Sequence, residues 1–253
     1  MPPSLSIVIP VLNEENQVAG ILEAASALLE RRGGDWEIIL VDNASTDRTR
    51  QYAEPFVDEK RVRYLRNDVN RGKGYSIRRG MLEAHGEMRL MCDADCSTSL
   101  SSLPRLEEAL ADADIAVGSR LGQGAHVSHQ QPLRRRFFGL GFLILTRLML
   151  GRLPRDVYCG FKLWRGDTAQ AVFEMTQVDG WVFDAEALAI ALRMGYRVRE
   201  VGIHWKNRPS SRLSIPDVLL PAVRELLVSR ETRRHAPSAL RANDEDLRTV
   251  GEI

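Results

Sequence analysis

The chain has 253 residues, enough to bury a substantial core, and its 44% hydrophobic and 27% charged content is that of an ordinary globular protein. With 35 Lys and Arg against 34 Asp and Glu the formal net charge is +1, so no global field draws in nucleic acid and any cationic function must come from local clusters. Three cysteines, Cys92, Cys96 and Cys159, are too few and too irregularly spaced for a disulfide framework and complete no zinc set, which points to a reducing, cytoplasmic setting.

Met1-Pro2-Pro3 leads straight into an apolar run without the charged and apolar regions of a signal peptide. Leu5 to Val11 reads as a strand buried on both faces. Asn13-Glu14-Glu15-Asn16 then offers capping chemistry for a helix over Val18 to Leu29, stopped by Gly33-Gly34. A second strand, Trp36 to Val41, ends in Asp42-Asn43, and Ser45 is placed to cap the helix that opens at Ala44 to Asp47. A short strand over Val62 to Leu65 is followed by a glycine-basic loop, Arg71-Gly72-Lys73-Gly74, and a helix over Tyr75 to Ala84. Glu87 to Cys92 is the central strand, with Met88 and Met91 as packing residues, and it stops at Asp93-Ala94-Asp95. Four alternations of strand and helix in about ninety residues predict an α/β fold, a mostly parallel sheet with helices on both faces.

Beyond the acidic pair a helix is expected over Leu103 to Ala111, a strand over Ile115 to Gly118 and a loop over Gly122 to Gln131. Leu133 to Gly151 reads as a helix that opens with Arg134, Arg135 and Arg136 and continues apolar. Its apolar stretch falls short of the roughly 20 residues that cross a bilayer. It suits either a helix lying on an anionic membrane surface or a core helix with a charged entry. A return strand is expected over Asp156 to Trp164, helices over Asp167 to Met175 and Phe183 to Met194, and an edge strand over Tyr196 to His204. Trp181 and Phe183 read as core or pocket wall, and His126 and His129 as solvated loop histidines. From Arg230 onward the charged residues lack periodicity, so 230–253 is expected to be a disordered tail.

Acidic and amide groups follow three strand ends: Asn13-Glu14, Asp42-Asn43 and Asp93 with Asp95. In a doubly wound sheet such loops converge on one edge, where ligands bind. Two carboxylates one residue apart at a strand end suit a hard divalent cation. A GxGxxG loop and a Walker lysine loop are both missing from the sequence, which argues against dinucleotide and P-loop chemistry.

The ordered segments SIVIPVLNEE, IILVDNASTDRT, NRGKGYSIRRGM, DADCS, GSR and CGFKLW resemble the family 2 inverting glycosyltransferases of the GT-A fold, above all the polyprenyl-phosphate (dolichyl-phosphate) glucosyl- and mannosyltransferases. The likeness covers about residues 4 to 215. It implies one Rossmann-like GT-A domain over 1–229, with a nucleotide-sugar half at about 4–120 and an acceptor half at about 121–229 that holds the amphipathic helix 133–151.

Position by position, the resemblance implies that Pro10, Asn13 and Glu14 shape the first nucleotide-binding loop and that Asp42 holds the uracil or ribose. Arg71, Gly72 and Lys73 close over the nucleotide, in a form more like the users of UDP-glucose than those of GDP-mannose. Asp93 meets the donor's ribose or sugar, Asp95 ligates Mg²⁺ or Mn²⁺, Ser97 stands where some relatives add a ligand, and Arg120 reaches a phosphate. Asn43 departs from the family, which often has a second aspartate there. The implied reaction is direct displacement at the anomeric carbon with inversion. A lipid-phosphate acceptor needs cations, for which Arg134, Arg135, Arg136, Lys162, Arg208 and Arg212 are candidates. A hydroxyl of a soluble metabolite or glycan needs a general base instead, with Asp184, Glu186 or Asp156 as candidates. A catalytically idle nucleotide-sugar-binding scaffold is the alternative from outside enzymes. The expected partners are thus a nucleotide-sugar donor, a lipid-phosphate or small-molecule acceptor, and a membrane surface touched peripherally.

Overall fold

The structure, a computed structural model, describes residues 2–58, 60–128, 133–206 and 215–238; the side chains of 133–137 and 215–220 fall outside the description. The N-terminal half runs β1 (Leu5–Val11), α1 (Val18–Arg32), β2 (Trp36–Asp42), α2 (Thr49–Ala53), β3 (Val62–Arg66), α3 (Lys73–Glu83), β4 (Met88–Cys92), α4 (Leu103–Ala109) and β5 (Ile115–Ser119). The remainder is β6 (His126–Ser128), α5 (Leu133–Leu150), β7 (Phe161–Arg165), α6 (Gly166–Phe173), α7 (Phe183–Arg193), β8 (Val198–Gly202), β9 (His204–Lys206) and α8 (Ile215–His235).

Among the described residues seven strands form one sheet in the order β3-β2-β1-β4-β7-β5-β8, and β6 pairs with β9 in a separate ribbon. The joins β1–β2, β1–β4, β2–β3 and β5–β8 are parallel, whereas β7 lies antiparallel to both β4 and β5. The expected mostly parallel α/β sheet is therefore the architecture observed. Its strands read as unbroken apolar runs because each face has its own core. Leu5, Ile7, Ile9 and Val11 of β1 pack with α1 and α4 on one side, and Val8 packs with α3 and α7 on the other.

Three expectations need correction. The return strand predicted from Asp156 starts only at Phe161, because Asp156 accepts from Arg120 and the chain at Gly160 presses against Asp93. The loop predicted over Gly122 to Gln131 contains β6, stabilised by pairing with β9 across a wide sequence gap. The disordered tail predicted from Arg230 is helical through His235. Among its described side chains the buried ones are Ala222, Leu226, Ser229 and Thr232, so small and hydroxyl side chains carry most of the helical repeat there and a search for large apolar residues misses it.

Candidate active site

The parallel strands β1, β2 and β4 end at one edge of the sheet, and the loops that leave them are laced together. At the end of β1, Asn13 turns with φ 55°, donates its N–H to Ser45 Oγ at 2.9 Å and accepts from Thr46 N–H at 2.8 Å. Glu14 N–H donates to Thr49 Oγ1 at 2.8 Å, and Pro10 lies in register with Val41. The first two loops are thus one unit.

Asp42, expected to hold uracil or ribose, is wholly buried. Its carboxylate accepts from Ser45 N–H at 2.8 Å, from the Tyr64 hydroxyl and from Arg66, and so braces β2 to β3 and the loop between. Burial and the neighbouring Asp42 carboxylate both push the Tyr64 hydroxyl pKa up, which keeps it a donor. Both carboxylate oxygens therefore already have partners within the protein.

Sequence reasoning missed the role of Asn43. Its side-chain oxygen accepts from Arg71 N–H and Asn67 Nδ2, each at 3.0 Å, while its own amide donates to Asn70 Oδ1 at 2.7 Å. Asn70 Oδ1 also accepts from Gly72 N–H at 3.1 Å. A carboxylate at position 43 has no proton to give Asn70. The departure from the family pattern is therefore the feature that shapes the glycine-basic loop, and the amide-rich sequence of Asn43, Asn67 and Asn70 was the available signal.

That loop is clamped from the far side by the segment before α7. Gly74 N–H donates to Gly180 O at 3.2 Å and Tyr75 N–H to Asp179 O at 3.1 Å. Gly72, at φ 103°, lies so close to Asp179 that a Cβ there would sit 2.2 Å from its carbonyl oxygen. Arg78 bonds Asp179, and the Arg71 guanidinium stacks 3.9 Å from the centre of the Tyr75 ring. Lys73, read from sequence as loop, begins α3, and its Nζ ion-pairs Asp93 Oδ1 at 2.6 Å. Burial works against the Lys73 charge, yet the carboxylates of Asp93, Asp184 and Asp95 outweigh it and hold its pKa above the usual lysine value.

Asp93 and Asp95 both project at the end of β4. Asp93 Oδ1 is closed off from solvent, and Gly160 leaves the space its carboxylate occupies. Asp95 is partly exposed and accepts from Ser97 N–H at 2.8 Å and from the Ser97 hydroxyl. Cys96 between them turns with φ 52°.

Further charged groups lie alongside. Lys162, a candidate for acceptor phosphate, is buried, and its ammonium is spent on Asp184 and on the Cys159 carbonyl at 2.6 Å. It does not face an acceptor. Burial raises the Asp184 pKa, with Lys162 and Lys73 pulling the other way. Arg120 grips Asp156 in two bonds, Nε to Oδ2 at 2.8 Å and the outer nitrogen to Oδ1 at 2.5 Å, and its guanidinium lies 5.3 Å from the centre of the Trp205 ring. Glu186 is buried and accepts from Val178 N–H at 2.9 Å and Gln177 N–H at 3.1 Å. Of the three general-base candidates, Asp184 and Asp156 are held in ion pairs and Glu186 is shut away from solvent. Trp181 is 44% exposed beside Lys73 and Phe183 is buried, so the first is wall and the second is core. His126 sits edge-on to His204 with the ring centroids 4.8 Å apart. Arg208, Arg212 and His129, and the side chains of Arg134, Arg135 and Arg136, lie outside the described residues.

Among the described residues no three His, Cys, Asp or Glu side chains cluster closely enough to hold a metal by themselves. The donor set still fits Mg²⁺ or Mn²⁺, which take one or two carboxylates and draw their other oxygens from phosphates and water. Asp93, whose closed-off oxygen already faces a cation, and the open Asp95 are the residues that suit it.

A mostly parallel sheet with an acidic pair at its carboxyl edge, roofed by a cationic glycine loop, defines a glycosyltransferase of the GT-A fold. The family model described as Glycosyl transferase family 2 matches residues 6–173, and the chain belongs to that family. It is 33% identical over 229 residues to the dolichyl-phosphate beta-glucosyltransferase of Homo sapiens, covering 83% of this chain and 69% of the relative. It is 30% identical over 250 residues to the enzyme of that name from Saccharomyces cerevisiae, covering 89% and 74%. In fold it is similar to the glucosyl-3-phosphoglycerate synthase of Mycobacterium tuberculosis in complex with UDP, with a TM-score of 0.66 at 19% identity over 94% of this chain and 82% of that one. The same synthase with Mn²⁺, UDP-glucose and phosphoglyceric acid gives a TM-score of 0.65 at 19% identity, over 94% and 81%. Also among the described residues, no helix is long and apolar enough to cross a membrane.

Proposed function

We propose that the chain transfers glucose from UDP-glucose to a polyprenyl phosphate at a membrane surface, with inversion at the anomeric carbon. The observation that carries the acceptor side is the state of the three carboxylates that a hydroxyl acceptor would need as base. Asp184 is paired with Lys162, Asp156 with Arg120, and Glu186 is wholly buried away from solvent. A phosphate monoester is already an anion at neutral pH and attacks without surrendering a proton, so it needs none of them. The relatives named dolichyl-phosphate beta-glucosyltransferase support the same acceptor and sugar.

On the donor side, Lys73 and Arg71 bring two cations to the edge where a diphosphate would lie, and the solved relatives bound to UDP support that nucleotide. Asp93 and Asp95 would hold Mg²⁺ or Mn²⁺, which supplies Lewis-acid neutralisation of the departing diphosphate. Trp181, partly exposed, lies with its ring centre 5.6 Å from the Lys73 ammonium, where it would flank the donor. For the membrane, α5 carries Leu140, Ile144 and Leu148 four residues apart, 56%, 52% and 80% exposed, in a helix whose first turn contains the three arginines.

The test is a product assay. Purified chain is offered UDP- and GDP-sugars with Mg²⁺ or Mn²⁺, and either a short-chain polyprenyl phosphate or a panel of hydroxyl acceptors, with products identified by mass. Glucosyl polyprenyl phosphate formed from UDP-glucose is the expected product. Transfer only to hydroxyl acceptors would refute the lipid-phosphate reading, and metal-independent transfer would refute the metal's role.

A further inference from the structure

Lys73 stands in an unusual place for a residue that serves a phosphate: its ammonium already has a partner, and the partner belongs to the acidic pair. The Lys73 Nζ to Asp93 Oδ1 separation is 2.6 Å, and that oxygen is closed to water. Gly160 leaves the space that this carboxylate occupies, since a Cβ there would come within 2.0 Å of Oδ2 and 2.7 Å of Oδ1. The Lys73 backbone has no room to retreat, since Gly72 and Gly74 on either side press on Asp179 and Val178. The ammonium at the end of the lysine side chain is the part of this pair that an arriving anion can draw away. Around it, Asp93, Asp95 and Asp184 face Lys73 and Lys162, which leaves a single net negative charge before any ligand arrives. A divalent cation that joined this group while Lys73 stayed in place would meet an ammonium already seated on one of its ligands.

We propose that Lys73 is the resident counterion of the acidic pair and enforces an order of loading, in which a divalent metal is held firmly only after a nucleoside diphosphate has drawn the lysine off Asp93. The inference rests on the nucleotide-sugar reading above. The diphosphate does two things at once: it takes the Lys73 ammonium as its own partner, and it brings the oxygens that complete the coordination of the metal. Metal and nucleotide are therefore coupled through one side chain, and the coupling is reciprocal. An enzyme built this way holds little metal when no donor is present and recruits it with the substrate.

The experiment is Mn²⁺ binding to the full chain, read from the EPR signal of free Mn²⁺, with and without UDP. Wild-type protein is expected to bind Mn²⁺ at least about tenfold more tightly with UDP than without, as removal of a like charge a few ångströms away allows. Lys73→Gln should bind Mn²⁺ more tightly than wild type in the absence of UDP, by about ten- to a hundredfold on the same Coulomb reasoning, and its dependence on UDP should shrink. Lys73→Arg, which keeps the charge, should retain the wild-type order. Unchanged or weaker Mn²⁺ binding by folded Lys73→Gln, alongside wild-type coupling to UDP, overturns the inference and leaves the donor reading standing. Failure of the wild type to bind UDP in the presence of Mn²⁺ overturns the donor reading itself. A measurement without a variant decides the matter if Lys73→Gln does not fold. With lysines labelled by ¹³C-methylation, the Lys73 resonance should move when UDP joins Mg²⁺ and stay in place with Mg²⁺ alone, and a shift with Mg²⁺ alone overturns the inference.

Discussion

Gly160→Ala isolates the position of Asp93 from everything else in the fold. The backbone of Gly160 carries no positive φ, so alanine meets no conformational strain there. The three atoms nearest the new methyl all belong to one side chain: Cβ would lie 2.0 Å from Asp93 Oδ2, 2.4 Å from Cγ and 2.7 Å from Oδ1. Ordinary contact needs about 3.5 Å, so the carboxylate must move by more than 1 Å. The obstacle is the tip of a side chain, which relieves the clash by swinging outward and leaves the packed core untouched. Stability should therefore fall by only about 1 kcal/mol, at the low end of overpacking costs. The 2.6 Å pair with Lys73 cannot survive the movement, and the acidic pair loses its shared geometry. A misplacement of that size at reacting groups costs on the order of a hundredfold in rate, equivalent to about 2.7 kcal/mol of barrier. Thermal melting and steady-state glucosyl transfer on the same preparation check both halves. Gly160→Ala with turnover within threefold of wild type would remove Asp93 from the catalytic centre, and a collapse of the melting temperature would show that Gly160 serves the core instead.

Gly74→Ala puts a Cβ 2.5 Å from Val178 O and 2.7 Å from Phe183 Cβ, against backbone and core, so this variant should lose about 1–3 kcal/mol of stability and also bind UDP more weakly in calorimetry. Asp184→Asn leaves the Lys162 ammonium buried without its counter-charge and should cost about 3–5 kcal/mol in denaturant unfolding, of which Asp184→Asn with Lys162→Met recovers a part. Burial raises the Glu186 pKa against its bonds from Val178 and Gln177, so the folded chain holds that proton more tightly than the unfolded chain. Its contribution to stability therefore declines as pH rises from the ordinary value of 4.5 through the raised one. Melting temperatures at about pH 5 and pH 7.5 should accordingly diverge less in Glu186→Gln than in wild type. Ile144→Asp with Leu148→Asp should abolish co-sedimentation with anionic vesicles and leave the melting temperature unchanged, since both side chains are exposed.

The first half of the fold was legible because its signals are local. A strand buried on both faces writes itself as an unbroken apolar run, as Leu5–Val11 and Trp36–Asp42 do, and the residue after such a run is a candidate for the sheet edge. The acidic pair and the glycine-basic loop stood out as residues at such edges, and the family motifs then supplied their roles. What stayed hidden was pairing at long range. Nothing local tells that Arg120 closes on Asp156, 36 residues away, or that Lys162 closes on Asp184, 22 residues away, and those partners decide whether each group faces a ligand. The antiparallel insertion of β7 between β4 and β5 is equally silent, since a buried strand looks the same in either direction. The last helix escaped notice because Ser229 and Thr232, polar residues, stand beside Ala222 and Leu226 on its inner face and interrupt the apolar repeat.

One small contact carries a practical consequence. The Glu225 carboxylate, from α8, accepts the N–H groups of Val182, at 3.0 Å, and Trp181, and it packs so tightly on Gly180 that a Cβ there would lie 1.8 Å from Oε1. Gly180 is the residue that accepts from Gly74, and Asp179 beside it accepts from Tyr75. The family model matches the chain only as far as residue 173, so the latch on the donor loop lies wholly downstream of that matched module. A fragment trimmed to that module would keep every signature residue up to Lys162 and still lose its hold on Lys73. The shortest autonomous unit therefore has to run to the end of α8, about sixty residues past the end of the matched family model.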